Sequence, residues 1–475
     1  MNVKTVEKLG GTTMSRFPEL IDSHFKDAGK PLYHRIFIVS AFGGMTDLLL
    51  EHKHSGEPGV YSLFSEGDDK TQWRQRLADV SHVMKGINAS FFEDDVLRQE
   101  ADIFVDERID GALHCLADVE HVCSFGPFAL EEYLSRVREL LSSIGEAHSA
   151  HNAALLLKSK GINSRFVDLT GWKESVSLNL EERVLQGLAG IDYANELPIV
   201  TGYAQCGEGL VKRYARGYTE IILGKIAELT NPDEAIIHKE YHLSSADPRI
   251  VGVESSIPIG RTNYDVADQL ANLGMEAIHP GAASILRRKG IPMRVKHAFE
   301  PEHRGTLINN DYMTEQPRVE IIAGRRGVMA IEVFDQDMIE DQLSYESQVI
   351  ELLRKLKIRS IGKDINANSL VHYVVSSLRN IKRLTARLHE LFPGAEISTK
   401  KVAFVCAIGT NMDMPGILGR CSTALGEQSI PIRSVSQPLR GVDARFVVED
   451  HDYEAAVRAL HDSIVSENYP ASIAA

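Results

Sequence analysis

The start of the chain carries the groups best suited to chemistry. Val3 to Glu7 alternates apolar and polar residues, as a short strand does, and Lys8 follows at its end. Next come Gly10 and Gly11, which lack a Cβ and let the backbone approach a ligand closely. Backbone N–H groups in such a turn can bind anionic oxygens, and a neighbouring lysine adds positive charge for a polyphosphate. A glycine pair after a strand is most often an ordinary turn, and a phosphate site is the functional alternative for this segment.

A second glycine pair follows the next apolar run. Arg35 to Ala41 is rich in β-branched and aromatic residues and predicts a buried strand, after which come Gly43, Gly44 and Thr46. Ligands of open α/β sheets bind at the carboxyl ends of the strands, so both glycine pairs are expected at one edge of the sheet. The repetition strengthens the case for a phosphate site.

These segments and several later motifs together resemble an aspartokinase, a member of the amino-acid kinase family. In chain order the motifs are KLGGTT at 8–13, VSAFGGMT at 39–46, SIGE at 143–146, ARGYTE at 215–220, SSADPR at 244–249 and IHP at 278–280. Their order and spacing agree over nearly the whole chain. The resemblance implies ATP-dependent phosphorylation of the side-chain carboxylate of L-aspartate to 4-phospho-L-aspartate, the first step of aspartate-family amino acid or ectoine synthesis.

The resemblance also implies roles for individual residues. Two are expected to be catalytic, Lys8 and Glu220. The expected nucleotide-binding residues are Lys8, Gly10, Gly11, Ser244 and Arg249. The expected aspartate-binding residues are Ser40, Thr46, Glu146 and Arg216, with the hydroxyls and the arginine on the carboxylates and the glutamate on the ammonium. Mg²⁺ is expected to arrive on the ATP phosphates, without a dedicated protein metal site.

Glu146 also has a purely structural interpretation. A helix is predicted from Ser142 to the residues before Gly161, because serine favours a helix start and glycine follows a last turn. Glu146 would then lie in the first turn, where the helix dipole favours a carboxylate.

Alternating strands and helices over residues 1–300 predict an α/β architecture, an amino-acid kinase-like sheet covered by helices on both faces. Residues 50–135 are expected to be a divergent helical and loop region of this domain, with a loop at 52–69 and helices at 72–83 and 94–105. Neither GxxxxGK[ST] nor GxGxxG occurs, which argues against a P-loop or dinucleotide-binding fold. Residues 301–317 are polar and predict an irregular linker.

Beyond the linker, two α+β units at 318–400 and 401–475 resemble ACT domains. In the first, a turn is predicted at Arg325 to Gly327 between two short strands. In the second, GTNMDMPGILGR at 409–420 is like the ligand loop of such domains, which implies an amino-acid effector; an ordinary turn is the alternative. ACT domains commonly bury a sheet edge or face against another copy, so a homodimer or larger homo-oligomer is expected.

Three segments depart from the family pattern. Gly217-Tyr218-Thr219-Glu220 replaces Gly-Gly-Ser-Asp, so a longer acid stands at the aspartate position. His238 to His242 replaces the usual nucleotide segment, and Glu276 replaces a lysine. This pattern is similar to the aspartokinases dedicated to the compatible solute ectoine.

The composition limits other function classes. The 475 residues, 43% hydrophobic and 25% charged, are typical of a globular protein of two to four domains. The net charge of −14 disfavours nucleic-acid binding. Neither a membrane-spanning apolar run nor a signal peptide is apparent, so a cytoplasmic protein without a membrane partner is expected.

Cysteine usage agrees with a reducing compartment. The five cysteines are widely spaced and form no CxxC, so reduced thiols are expected. The segment with His114, Cys115, His121 and Cys123 does not match a common zinc spacing, and no metal site is predicted there.

Two function classes remain open. One is a working aspartate kinase, and the other is a non-catalytic ACT-type regulator that keeps a decayed kinase domain. Retention of Lys8, Glu146 and Arg216 together favours the enzyme, because decay has no reason to spare all three. A kinase for glutamate or N-acetylglutamate is disfavoured by the tandem ACT-like units.

Overall fold

The computed structural model describes residues 3–26, 31–52, 55–67, 69–214, 217–275 and 278–466. They belong to two compact units. The first comprises residues 1–242 and 278–310, and the second comprises residues 243–277 and 311–475. Within the part of the chain that is described, no helix combines the length and the hydrophobicity needed to cross a membrane.

Strands and helices alternate through most of the described chain. The strands are β1 (Thr5–Leu9), β2 (Arg35–Val39), β3 (Ser164–Val167), β4 (Leu197–Thr201), β5 (Glu234–Lys239), β6 (Arg261–Asn263), β7 (Met293–His297), β8 (Thr306–Asn309), β9 (Ile321–Phe334), β10 (Arg359–Ile365), β11 (Ser369–Val375), β12 (Glu396–Ile408), β13 (Ser434–Ser436) and β14 (Asp443–Glu449). The helices are α1 (Gly11–Ser15), α2 (Phe17–Leu20), α3 (Met45–Leu49), α4 (Val60–Glu66), α5 (Lys70–Phe91), α6 (Asp95–Cys123), α7 (Glu131–Ser159), α8 (Leu180–Leu188), α9 (Leu210–Tyr214), α10 (Tyr218–Thr230), α11 (Pro248–Val251), α12 (Tyr264–Asn272), α13 (Pro280–Lys289), α14 (Gln342–Lys355), α15 (Leu378–Leu391), α16 (Ile417–Glu427) and α17 (Tyr453–Leu460). Further helical turns of 3₁₀ or π type lie at Ile21–Phe25, Gln336–Glu340, Asp450–Asp452 and His461–Val465.

Strand β1 lies in the middle of the first unit's sheet. The strands of this unit are ordered β3-β4-β2-β1-β5-β7-β8. Each neighbouring pair from β3 to β7 is parallel, and β8 is antiparallel to β7. Lys8 pairs with Ile38 of β2 and Leu9 pairs with His238 of β5, so the carboxyl ends of the three central strands lie side by side.

Helices cover both faces of this sheet, as the alternating pattern predicts. On one face, Leu9, Phe37 and Ile199 belong to a buried cluster that includes Ala150 and Leu157 of α7. On the other face, α10 lies against β1, β2 and β5, and α13 packs on α10. The predicted α/β fold class is confirmed.

The divergent region is mostly helical. The helices predicted at 72–83 and 94–105 are confirmed and extend to the full lengths of α5 and α6. The loop predicted at 52–69 is wrong at α4, where Val60 and Phe64 are buried at helical spacing. Asn88 of α5 ties the three long helices together: its Nδ2 donates to Asp102 of α6 at 2.8 Å, and its Oδ1 accepts from Asn152 of α7 at 2.7 Å.

Helix α7 begins earlier than the serine signal predicts. It starts at Glu131, so Glu146 lies in its middle and not in a first turn, and the predicted dipole role is wrong. The reason is visible in the two serines. Ser142 Oγ donates to the Arg138 carbonyl at 2.8 Å and Ser143 Oγ donates to the Leu140 carbonyl at 2.6 Å, which is how serine is accommodated inside a helix.

The second unit is built on one antiparallel sheet of order β10-β11-β9-β12-β14-β13. The two predicted ACT-like segments therefore share this sheet, because the long strands β9 and β12 pair with each other along their length. The turn predicted at Arg325 to Gly327 is wrong, since β9 runs through it with an irregularity in its pairing to β12. The unit also contains α11, β6 and α12.

The stretch predicted as an irregular linker contains β8. Thr306 and Ile308 of this strand are buried and alternate with less buried residues, and β8 pairs with β7 of the first unit. The prediction of irregular structure for 301–317 is wrong at this strand, because a short alternating segment among polar residues gives a weak signal.

Glu7 of β1 links the three central strands, because its carboxylate contacts basic side chains of both β2 and β5. Its carboxylate is 2% exposed; Arg35 Nε of β2 donates to Oε1 at 2.7 Å, and His238 Nε2 of β5 lies 2.8 Å from Oε2. Burial alone would raise the pKa of Glu7, but the charge of Arg35 and the hydrogen bond and charge of His238 hold it well below its usual range. Glu7 is therefore ionised in the folded protein.

Glu7→Gln is expected to lower the free energy of unfolding by about 3–5 kcal/mol, because it leaves Arg35 buried without its counter-charge. Denaturant unfolding followed by tryptophan fluorescence measures this, since both tryptophans, Trp73 and Trp172, lie in the first unit. The matched control is Glu107→Gln, which breaks an exposed pair with Lys173 and should change stability by less than about 1 kcal/mol.

The pH dependence has a fixed sign. Because the pKa of Glu7 is lower in the folded state than in the unfolded state, ionised Glu7 stabilises the fold at pH values above its unfolded-state pKa of about 4.3. This contribution is lost as the pH falls from there through the folded-state pKa. The difference in the free energy of unfolding between the wild type and Glu7→Gln should therefore become smaller as the pH falls below about 4. Equal losses for the Glu7 and Glu107 variants would contradict a buried ion pair at Glu7.

Candidate active site

A pocket of about 420 Å³ lies at the carboxyl ends of β1 and β2. It brings together most of the site residues predicted from the sequence for the first unit. Its predicted members are Lys8, Gly11, Ser40, Thr46, Glu146 and Glu220. The remaining lining residues are Thr12, Ala41, Phe42, Gly43, Gly44, Asp47, Gly217, Tyr218 and Thr219.

Lys8 and Glu220 form an ion pair in this pocket. Lys8 Nζ lies 3.2 Å from Glu220 Oε1, with side chains 13% and 9% exposed, and Glu220 Oε2 accepts from the His279 backbone N–H. Burial by itself would raise the pKa of Glu220, but the charges of Lys8 and Lys239 and the His279 N–H lower it. Glu220 is thus an ionised carboxylate that fixes the position of the Lys8 ammonium.

One serine joins the two glycine loops. Ser15 Oγ donates to the Gly11 carbonyl at 3.2 Å and accepts from the Gly43 N–H at 3.0 Å. The Ser40 N–H donates to the Leu9 carbonyl at 3.1 Å, which links the ends of β2 and β1. The loops after the two strands are therefore held at a fixed separation.

Gly11 is required by a close backbone approach. A Cβ at Gly11 would lie 2.7 Å from the Ala41 carbonyl oxygen, a distance that real Cβ atoms essentially never show. A Cβ at Gly10 would meet nothing nearer than Lys8 Nζ at 3.8 Å. Of the two neighbouring glycines, Gly11 is the one that lets the loops come together.

The hydroxyls of Ser40 and Thr219 form a hydrogen bond in the pocket, near the end of β1. Ser40 Oγ donates to Thr219 Oγ1 at 3.1 Å, which connects the end of β2 to the first turn of α10. Thr46 lies in α3 and lines the same pocket. The Thr46 hydroxyl can donate to a carboxylate or phosphate oxygen placed in the pocket, and the Ser40 hydroxyl can do so by rotating away from Thr219.

Glu146 reaches the pocket because α7 packs closely on the end of β2. A Cβ at Gly145 would lie 2.8 Å from the Ala41 Cβ, so only glycine permits this approach. Glu146 is 2% exposed and its Oε1 accepts from the Tyr218 hydroxyl at 2.9 Å. The pocket thus has a carboxylate from α7 facing the same space as the Lys8 ammonium.

Not every predicted residue is placed in this pocket. Arg216 lies outside the described residues, as does Glu276. Ser244 and Arg249 belong to the second unit, where Ser244 forms a β-bridge with Pro258. Arg249 is 90% exposed at its side chain and pairs with Asp247 at 2.7 Å. The nucleotide-binding roles of these two residues stay predictions.

Sequence reasoning missed three groups that hold the site together: Ser15, Tyr218 and the backbone N–H of His279. Ser15 could have been found, because it stands four residues after Gly11 and its hydroxyl can bond back to that carbonyl in a helical turn. Tyr218 bonds to Glu146, 72 residues earlier in the chain, and no local pattern predicts such a contact.

The arrangement can bind opposite charges at two positions. Lys8 and the glycine loops suit an anion, since the ammonium is fixed and the loop backbone is accessible. Glu146 suits a cation. A small substrate with an ammonium group and acidic groups matches this pair of positions, and the fixed lysine can stabilise charge on a transferred anionic group.

Two family models match the chain. The amino acid kinase family matches residues 4–297, and the ACT domain matches residues 405–464. Among known proteins, the aspartate kinase Ask_Ect of Stutzerimonas stutzeri (strain A1501) is 48% identical over 474 residues, which cover 99% of each chain.

Solved structures agree in fold. The structure of E. coli aspartokinase III in complex with aspartate and ADP (R-state) matches with a TM-score of 0.71 and 18% identity, over 97% of this chain and 100% of that one. Its complex with lysine and aspartate (T-state) matches with a TM-score of 0.70 and 17% identity, over 97% of this chain and 99% of that one. At such identities the likeness establishes the fold.

Gly11→Ala is expected to lower the free energy of unfolding by about 1–3 kcal/mol, the usual cost of overpacking a close contact. Gly10→Ala is the matched control, because Gly10 has φ −77° and has room for a methyl group. Both are measured by denaturant unfolding. Equal losses would mean that the contact with Ala41 does not limit the loop.

Proposed function

The chain belongs to the amino acid kinase family and, within it, to the aspartate kinases, and on that premise we propose that it transfers the γ-phosphoryl group of ATP to the side-chain carboxylate of L-aspartate. The family predicted from the motifs is confirmed. In the reaction a carboxylate oxygen forms a bond to the γ-phosphorus while the bond to the bridging oxygen breaks, which yields 4-phospho-L-aspartate and ADP. The observation that carries the proposal is the presence of Lys8, Glu220 and Glu146 in one pocket.

In this proposal Lys8 stabilises the phosphoryl group in transfer. Such reactions ask the protein mainly for positioning and charge neutralisation. Glu220 holds the Lys8 ammonium in place at 3.2 Å, so the charge needs no rearrangement during reaction. Glu220 is one methylene longer than the aspartate usual in the family, and we assign it the same role. Its two carboxylate oxygens contact Lys8 Nζ and the His279 N–H.

The glycine loops fit the phosphates of MgATP, which is a substrate here. Gly11 of the first loop and Gly43 and Gly44 of the second line the pocket with Lys8, and a Cβ at Gly10 would lie 3.8 Å from Lys8 Nζ. We assign Gly10 and Gly11 to the phosphate oxygens, with Mg²⁺ supplying charge neutralisation on the nucleotide. Ser244 and Arg249 remain our proposed nucleotide contacts from the sequence.

Aspartate recognition is assigned to the opposite side of the same pocket. Glu146 receives the substrate ammonium, because it is a buried carboxylate that lines the pocket. Ser40 and Thr46 bind its carboxylates through their hydroxyls, and Arg216 is proposed for bidentate contact with a carboxylate. The alternative of a non-catalytic regulator has less support, because Lys8, Glu146 and Glu220 line one pocket.

We also propose the domain division of the sequence: a kinase domain at 1–300, a linker at 301–317 and ACT-like domains at 318–400 and 401–475. The family matches at 4–297 and 405–464 support this division. Residues 243–277 fall within the proposed kinase domain by sequence but are grouped with the second compact unit.

All five cysteines are free thiols, in keeping with the proposed cytoplasmic location. The ectoine subtype is part of the same proposal.

An amino-acid effector is proposed at the ACT-like loop. The E. coli aspartokinase III complex with lysine and aspartate supports effector binding in this family by analogy. In this chain the N–H and hydroxyl of Thr410 already donate to the buried Glu320, at 2.7 and 2.8 Å. An effector carboxylate at the loop would therefore use other backbone N–H groups.

The proposed function is tested by a hydroxamate assay with MgATP and a panel of L-aspartate, L-glutamate and N-acetyl-L-glutamate. Aspartate should give acyl hydroxamate and ADP in equal amounts, and the other two acids should give little. A protein that releases no hydroxamate with any acid, while folded by circular dichroism, would be a regulator and not a kinase.

Lys8→Met is expected to lower kcat at least tenfold, a barrier increase of at least about 1.4 kcal/mol, with the fold intact. The lost charge acts on the transition state, and methionine keeps the length of the side chain. Lys173→Met is the control, because Lys173 is 67% exposed and lies on the surface pair with Glu107. A Lys8→Met enzyme with more than about a tenth of wild-type kcat would remove Lys8 from the mechanism.

The full-length protein is expected to sediment as a dimer or larger species at micromolar concentration. The second unit's sheet ends in two edge strands, β10 and β13, which carry the exposed apolar residues Ile365 and Val435. Ile365→Lys places a charge on the β10 edge and Val435→Lys places one on the β13 edge. The substitution at the edge that pairs in the oligomer should shift the protein to monomer, and the substitution at the other edge is the control. A wild-type monomer in analytical ultracentrifugation would rule out this assembly.

A further inference from the structure

We propose that Tyr218 is a positioning residue for aspartate recognition, which acts through the carboxylate of Glu146. This inference rests on the proposed function and names a residue that its site assignments do not include. Tyr218 is the first residue of α10 and is 4% exposed. Its hydroxyl donates to Glu146 Oε1 at 2.9 Å, and both side chains line the pocket of Lys8.

The bond matters because Glu146 is buried. At 2% exposure the carboxylate is shielded from water, so a donor inside the protein fixes its orientation. Hydrogen bonds to an ionised group are roughly twice as strong as neutral ones. With one oxygen held by Tyr218, Glu146 is kept in a defined orientation toward the pocket before aspartate arrives, and substrate binding does not have to order it.

The Tyr218 ring is itself held in place. It packs edge-on against the ring of Tyr203, with centroids 5.8 Å apart and planes at 88°. The Tyr203 hydroxyl donates to Glu139 Oε2 at 2.7 Å, and Glu139 Oε1 accepts from the Lys212 N–H at 3.0 Å. Burial and the neighbouring Glu139 raise the pKa of Tyr203 well above its usual range, so this phenol stays a neutral donor.

The structure therefore contains two matched tyrosine–glutamate pairs. Glu139 and Glu146 are both on α7, two helical turns apart and so on one face. Only the Glu146 pair lines the pocket of Lys8; Tyr203 and Glu139 line a different pocket of about 400 Å³ with Trp172. A role in recognition belongs to the first pair, and the second pair serves as scaffold.

The experiment compares Tyr218→Phe with Tyr203→Phe in the full-length enzyme. Each change removes one hydroxyl and keeps the ring. Tyr218→Phe should raise the KM for aspartate about tenfold, with the KM for ATP within twofold and kcat within threefold of wild type. Tyr203→Phe should lower the thermal midpoint and leave the KM for aspartate within twofold.

A double-mutant cycle tests whether Tyr218 acts through Glu146. In a Glu146→Gln background, Tyr218→Phe should change the KM for aspartate by less than twofold, because the acceptor it orients is already altered. Isothermal titration of aspartate into each folded variant gives the same comparison as dissociation constants and does not depend on turnover.

The outcomes separate the inference from the proposed function. A folded wild-type enzyme that does not phosphorylate aspartate overturns the proposed function. An active wild type with an unchanged aspartate KM in Tyr218→Phe overturns only the inference. It is also overturned if Tyr203→Phe raises the aspartate KM as much as Tyr218→Phe, or if the effects in the cycle are additive.

Discussion

The kinase unit depends on two adjacent charges in its central strand. Glu7 and Lys8 are consecutive residues of β1, so their side chains point to opposite faces of the sheet. Each would be costly to bury alone, and each has a counter-charge: Arg35 for Glu7 and Glu220 for Lys8. Because strand alternation separates them, one pair joins neighbouring strands while the other faces the pocket. A buried ion pair within the sheet and an ion pair that lines the pocket thus come from the same short strand.

Glu220 explains how the half-buried Lys8 is held in place. Its carboxylate is shared between Lys8, the charge of Lys239 and the His279 N–H, so it is fully engaged as an ionised group. The lysine is therefore fixed in position beside the glycine loops. The described residues that line the pocket also include the carboxylates of Asp47, Glu146 and Glu220. Binding of an anion there therefore depends on the Lys8 ammonium and on the backbone N–H groups of the loops.

The sequence predicts those parts of the fold and site that depend on local patterns. Glycine pairs after apolar strands, the alternation of strands and helices and the family motifs are all local, and the strands and loops follow from them. The predicted start of α7 is wrong because the serines that resemble a cap donate to carbonyls within the helix. The contact of Tyr218 with Glu146 spans 72 residues, and the joint sheet of β9 and β12 depends on pairing between distant strands. Neither has a local signature.

Helix α7 shows why a long, rigid element suits such a site. The absence of a Cβ at Gly145 brings the helix against Ala41, and this close packing sets the depth at which Glu146 enters the pocket. Asn152, less than two turns further on, anchors the same helix to Asn88 of α5. A carboxylate on a loop could turn toward solvent, whereas one held between a packed glycine and a tyrosine donor cannot. In the proposed function, the recognition of a small charged substrate is therefore built into helix packing, and the hydroxyl of Tyr218 completes it.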